Sequence, residues 1–130
     1  MSYHISKKTG LSYDEALVKV AEELKKEGFG ILTEIDVRET LKKKLDVDFR
    51  RYKILGACNP PFAYKALTVE DKIGTMLPCN VVVYEQDSEV HVSAIDAERM
   101  LSIVGRDELT DTAAEVRRRL GRVVERASAA

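Results

Sequence analysis

The 130-residue sequence predicts an α+β fold: a two-layer sandwich with a mixed, mainly antiparallel sheet covered mostly on one face by helices. Three observations carry this. Short apolar runs with strand character alternate with segments of helical period. Several of the helical segments open on a capping residue. Near residue 90, two strand-like runs are separated only by a polar turn, the pattern of an antiparallel hairpin.

The elements follow in order. Tyr3-His4-Ile5-Ser6 reads as a short strand. Ser12 and Glu15 then have capping-box spacing, and Tyr13, Ala16, Leu17, Val20, Ala21 and Leu24 form one apolar stripe, so a helix starts here. Gly28 is placed to end it. Phe29 to Ile35 reads as a strand, and Asp36 repeats the capping signal for a basic helix with Val37, Leu41 and Leu45 as its stripe. Tyr52 to Cys58 is the third strand. Asn59 is expected to cap a third helix with Pro60 in its first turn, where a missing N–H costs nothing. Phe62, Ala63, Ala66 and Leu67 are its apolar residues.

Val81-Val82-Val83-Tyr84 is apolar at successive positions, so both faces of this strand are covered or one lies at an interface. Gln86-Asp87-Ser88-Glu89 is a turn, and His91 to Ile95 returns in alternation. Asp96 caps a helix carrying Met100, Leu101 and Val104. In the last helix, about residues 108–127, Leu109, Ala113, Val116, Leu120 and Val123 repeat as an a/d seam. That seam packs on the sheet or pairs with the same helix of a second subunit. The chain is expected to form a single domain over 1–130.

Composition narrows the function classes. The net charge is −1, from 21 basic and 22 acidic residues, which favours neither nucleic acid nor an anionic membrane as partner. The basic runs Lys42-Lys43-Lys44 and Arg117-Arg118-Arg119 read as solvated faces. No apolar stretch approaches the roughly 18 residues of a membrane span. MSYHISKKTG has no apolar core of a signal peptide, and two cysteines suit a reducing compartment, so a cytoplasmic setting is expected. The absence of Trp, the scarcity of Asn and Gln and the many charged residues suggest a thermophilic source.

The chemistry-bearing residues lie in two similar blocks, Cys58-Asn59-Pro60 and Pro78-Cys79-Asn80. Each block sits where an apolar run begins or ends. A thiol just before a helix N-terminus gains nucleophilicity from the helix dipole, which makes Cys58 a candidate nucleophile; a small buried apolar residue is the plainer reading. Period-two alternation puts Cys79 on one face with Val81 and Val83, and Asn80 on the other with Val82 and Tyr84. The amide of Asn80 then ties down a loop or faces a ligand. The spacing of Cys58 and Cys79 is neither a C-x-x-C redox motif nor a zinc-ribbon pattern. A zinc site would need further ligands from His4, His91 or carboxylates, and no metal or cofactor is expected. Gly28-Phe29-Gly30 follows a helix rather than a strand, so it is not a dinucleotide loop.

Tyr52-Lys53-Ile54-Leu55-Gly56-Ala57-Cys58-Asn59-Pro60 and Leu77-Pro78-Cys79-Asn80-Val81-Val82-Val83-Tyr84, with Ile35-Asp36-Val37 and Thr40-Leu41, resemble the signature blocks of the domain of unknown function 302 family. The resemblance runs over about 13–104. It implies a small α+β domain, commonly a dimer, with no established reaction, substrate or cofactor. Cys58, Asn59, Pro60, Pro78, Cys79 and Asn80 match its motif positions. Three functions are then expected in competition. The first is a non-catalytic, homodimeric module that binds or senses a small ligand in a pocket lined by these six residues. The second is an interaction scaffold using the C-terminal helix. The third is a thiol enzyme or redox protein with Cys58 attacking and Cys79 resolving.

Overall fold

Strand alternation and helix capping place the elements in a computed structural model that describes residues 2–129. The strands are β1 (His4–Thr9), β2 (Gly30–Asp36), β3 (Tyr52–Cys58), β4 (Cys79–Gln86) and β5 (Glu89–Ile95). The helices are α1 (Tyr13–Lys26), α2 (Val37–Leu45), α3 (Pro60–Val69), α4 (Ala97–Ser102) and α5 (Thr110–Ser128). A 3-10 turn, Asp71–Met76, links α3 to β4.

The strands form one sheet in the order β1-β5-β4-β3-β2. All its pairings are antiparallel, so the fold is α+β as expected but the sheet is not mixed. The reason is topological. β1 and β2, joined through α1, run in the same direction but lie at opposite edges, and α2 and α3 each connect neighbouring antiparallel strands, so no helical connection makes a parallel pair.

Local chemistry explains the connections. Ser12 and Glu15 form a complete capping box at the start of α1. Its end is a Schellman motif: Phe29 N–H reaches Leu24 C=O at 2.9 Å and Gly28 N–H reaches Lys25 C=O at 3.1 Å. Gly28 has φ +86°, a conformation that glycine adopts without a Cβ penalty. The β4–β5 hairpin turns on Asp87 and Ser88, both at positive φ (53° and 65°), the geometry that matches strand twist in a two-residue turn. Asp36 and Asp96 cap α2 and α4 through their carboxylates.

The inner face of the sheet presents Leu55, Ala57, Val81, Val83, Val92 and Ala94, all buried. Ala16, Val20 and Leu24 of α1 and Val116, Leu120, Val123 and Val124 of α5 cover it. The buried stripe of α5 also takes in Thr112 and Ala127, so it is broader than the narrow seam of a coiled coil, and it is spent on this core. A second, smaller cluster of Ala66, Ile73, Leu101, Leu109 and Ala113 joins α3, the 3-10 turn, α4 and α5. The stripe expected on α2 is not buried; no residue of this helix is, because it lies against β2 and β3 at one edge of the sheet.

The outer face of the sheet stays partly open. Tyr52, Ile54, Val82 and Tyr84 are half-buried there. Tyr52, Tyr84 and His91 stack across three neighbouring strands at centroid distances of 5.1 and 5.0 Å. His91 is thus half-buried, with the Tyr84 ring stacked on it.

Candidate functional site

Antiparallel pairing of β3 with β4 brings the end of one strand beside the start of the other, with Ala57 opposite Cys79. The two motif blocks therefore meet at one end of the sheet. Here the larger and smaller core clusters adjoin, and Leu77 and Met100 pack against both. Between the clusters lies a cavity of about 280 Å³. It is lined by Ala57 and Cys79 of the sheet, Phe62 and Ala63 of α3, Met100 of α4 and Val116 of α5.

Four of the six motif residues line this cavity: Cys58, Asn59, Pro78 and Cys79. The other two do not. Pro60 is exposed at the first position of α3. Asn80 is exposed on the outer face, opposite Gly56, and lines a separate depression with Tyr52, Val82 and Ser93. This corrects the expectation of one six-residue pocket. Alternation sends Asn80 to the face away from Cys79, so its amide is not a buried group in need of a loop or ligand.

Asn59 departs from expectation too. It occupies the N-cap position of α3 but makes no side-chain capping bond. Pro61, at the second helical position, has no N–H to offer, which removes one of the two usual targets. Instead Nδ2 of Asn59 donates to the main-chain carbonyl of Glu27 at 3.3 Å. Arg119 donates to the same carbonyl at 3.1 Å. The side chain of Asn59 is thus a tie between the start of α3 and the end of α1.

Both cysteines are free thiols. Cys79 is buried, and burial, with a smaller effect of Cys58 nearby, pushes its thiol up to about 11. At neutral pH only about one in ten thousand such groups is ionised. Cys58 is half-buried at the strand end. Under iodoacetamide at pH 7, Cys58 is expected to be alkylated first and Cys79 only on unfolding, read by peptide mass spectrometry. Equal labelling of the two in the folded protein would contradict the burial of Cys79.

The site's rear wall is held by an ion cluster that sequence reading assigned to solvent. Glu27, at the C-cap of α1, is bound by Arg122 at 2.8 and 3.0 Å and by Arg126 at 3.0 Å. Arg117 pairs with Asp96 at 2.9 Å, and Arg118 and Arg119 with Glu115. Arg117, Arg119, Arg122 and Arg126 therefore tie α5 to the rest of the fold, while Arg118 bonds Glu115 of its own helix. The hydrogen bonds from Arg122 hold the Glu27 carboxylate below its ordinary value of 4.5, against the opposing effect of burial. A carboxylate depressed in the folded state adds stability that is present above its unfolded value and lost as pH falls through the folded one. Glu27→Gln is expected to lower stability by about 1–2 kcal/mol at pH 7 and to flatten the loss of melting temperature below about pH 4.5. A parallel acid melting profile in wild type and variant would refute this role.

Several lining residues carry no local motif. Phe29, Met100, Thr112 and Val116 arrive from distant segments. Thr112 alone had a signal, as a polar residue falling on the apolar stripe of α5. Among the described residues no cluster of three or more His, Cys, Asp or Glu is placed to hold a metal. Among the described residues no helix is long and apolar enough to cross a membrane.

These features define a class: a small domain with a five-stranded antiparallel sheet, helices over one face, and an apolar cavity where two Cys-containing strand ends meet. The chain belongs to the family described as "Domain of unknown function DUF302", whose model matches residues 5–127. The match takes in β1 and most of α5, beyond the 13–104 that the motif blocks suggested. The chain is also similar to an uncharacterized conserved DUF302 protein from Bacillus stearothermophilus, known from a crystal structure. The TM-score is 0.91 at 28% identity, over 98% of this chain and 99% of that one. A search of curated proteins matched none.

Proposed function

We infer that the protein is a non-catalytic module that binds or senses a small molecule and works as a cytoplasmic homodimer. The observation that carries this reading is the cavity of about 280 Å³ between the two core clusters. The cavity is half open, and a molecule bound in it takes its apolar lining out of water. The lining supports binding over catalysis. It holds no His, Lys, Arg or carboxylate, so neither thiol has a base beside it in the cavity.

The dimer rests on the open outer face of the sheet. Ile54, Val82 and Tyr84 are half-buried there and Ile35 is 47% exposed. A second copy offers the same neutral, apolar strip and suits a two-fold contact. A thermophilic setting belongs to the same reading, supported by the joined ion pairs of Glu27, Arg122 and Arg126.

Native mass spectrometry of protein purified without reductant or chelator tests the reading. The expected result is twice the chain mass plus a non-covalent adduct that is lost on denaturation. A monomer mass would remove the dimer. A clean chain mass, together with no thermal shift from any member of a small-molecule panel, would remove the binding module. A deficit of two hydrogens per chain would favour a redox role for Cys58 and Cys79.

A further inference from the structure

The cavity is apolar almost throughout, with two polar side chains in its wall, each carrying an oxygen that no hydrogen bond uses among the described residues. Asn59 and Thr112 both line it, and they are only 6% and 4% exposed. The bond from Asn59 Nδ2 to the Glu27 carbonyl settles the orientation of the amide, because a carbonyl oxygen accepts only from the nitrogen side. The Asn59 Oδ1 atom is therefore turned away from Glu27. The amide is also pinned in place: a Cβ on Gly28 would lie 3.0 Å from Nδ2, so the side chain rests directly on the Gly28 backbone.

Among the described residues, no hydrogen bond engages Asn59 Oδ1. The Thr112 hydroxyl is in the same position. Thr68 and Ser128 bond back to the carbonyl four residues earlier in their helices, at 2.8 and 2.7 Å, and Thr112 makes no such bond. Buried polar atoms are normally paired. The fully enclosed side-chain atom without a partner among the described residues is Glu23 Oε1, on α1. Neither Asn59 Oδ1 nor Thr112 Oγ1 is sealed in that way, and both residues line the cavity.

We propose that the ligand of this cavity is an uncharged, apolar molecule about two fused rings in size that carries one hydroxyl, bound by Asn59 Oδ1 and Thr112 Oγ1. The proposal rests on the cavity being a binding site and names the class of molecule it takes. Size follows from volume. A dry cavity of about 150 Å³ holds one benzene ring, and this one is about 280 Å³. Neutrality follows from the lining, which offers a charged ligand no counter-ion to offset its desolvation. The hydroxyl follows from Asn59 Oδ1, which only accepts, so the ligand must donate; the Thr112 hydroxyl can donate back to the same oxygen.

Calorimetric titration of the intact chain with 2-naphthol, naphthalene and 2-methoxynaphthalene tests this. The first ligand donates a hydrogen bond, the second has no polar group, and the third only accepts. The expected result is that 2-naphthol binds at least about tenfold tighter than either of the others. Thr112→Val keeps the shape of the side chain and is expected to reduce that preference by about threefold while leaving naphthalene binding unchanged. Ala63→Trp fills the cavity from α3 and is expected to abolish binding of all three, with thermal melting to confirm that the variant is folded. Equal affinities for the three ligands would overturn the hydroxyl assignment and leave the cavity as a binding site. No binding at all, or binding that survives in folded Ala63→Trp, would overturn the binding site and the proposal together.

Discussion

Leu120→Ala is expected to lower the unfolding free energy by about 3 kcal/mol. Leu120 is fully buried at the centre of the α5 stripe, packed into the same cluster as Val81, Val83 and Val92 of the inner sheet face. Deleting its branched carbons loses their transfer energy and leaves a hole that a sheet on one side and α1 on the other cannot close. Domains of this size have about 5–15 kcal/mol in all, so the variant should show a clear shift in urea midpoint with an unchanged slope. Removing everything after Gly105 extends the argument. It takes away Leu109, Val116, Leu120, Val123 and Val124, all buried, and uncovers the inner face of the sheet. The truncated chain is expected to lose its cooperative transition and to bind ANS. A scaffold that used α5 as a detachable handle would behave differently, keeping its core and changing only its oligomer size. A truncated chain that melts cooperatively with native near-ultraviolet dichroism would sink the core assignment.

How far the sequence disclosed this fold depended on the range of the interactions involved. Elements fixed by neighbours in the chain were legible: the Ser12–Glu15 box, the Gly28 terminus, the Asp96 cap and the 86–89 turn all stand where local chemistry puts them. Alternation along β4 also separated Cys79 from Asn80 correctly. The inference that failed was that a polar residue beside an apolar run must be buried. Asn80 escapes because the outer face is open. Asn59 showed the opposite limit. Its type and position suit a cap, but Pro61 removes one of its two usual targets, and a carbonyl 32 residues away takes its amide instead. The arginines of α5 read as a solvated face because their partners, Glu27 and Asp96, lie far off in sequence. The cavity was half legible. Its Cys, Asn and Pro residues stood out as a repeated block, whereas Phe29, Met100 and Val116 are ordinary apolar residues until the fold gathers them.

Gly56→Ala is expected to cost about 2 kcal/mol and to disturb the cavity as well. Gly56 lies within β3 between Thr33 of β2 and Asn80 of β4. A Cβ there would collide with the Thr33 hydroxyl and would lie 2.7 Å from Cγ of Pro78. Thr33 is exposed and can rotate its side chain aside. Pro78 has no such freedom, because its ring is closed onto the backbone. Relief must therefore come from moving the backbone at Pro78, which carries Leu77 and Cys79 with it, and all three line the cavity. The glycine is thus required by close approach and not by a left-handed backbone. Gly30, at the start of β2, is the control: an added Cβ meets nothing within 4 Å, so Gly30→Ala should change stability by no more than about 0.5 kcal/mol. Urea melts of the two variants separate these expectations. Iodoacetamide labelling should also reach Cys79 in folded Gly56→Ala and leave it untouched in Gly30→Ala. If Gly56→Ala melts like wild type and keeps Cys79 protected, Pro78 is not wedged on the Gly56 backbone, and the coupling between the sheet and the cavity mouth fails with it.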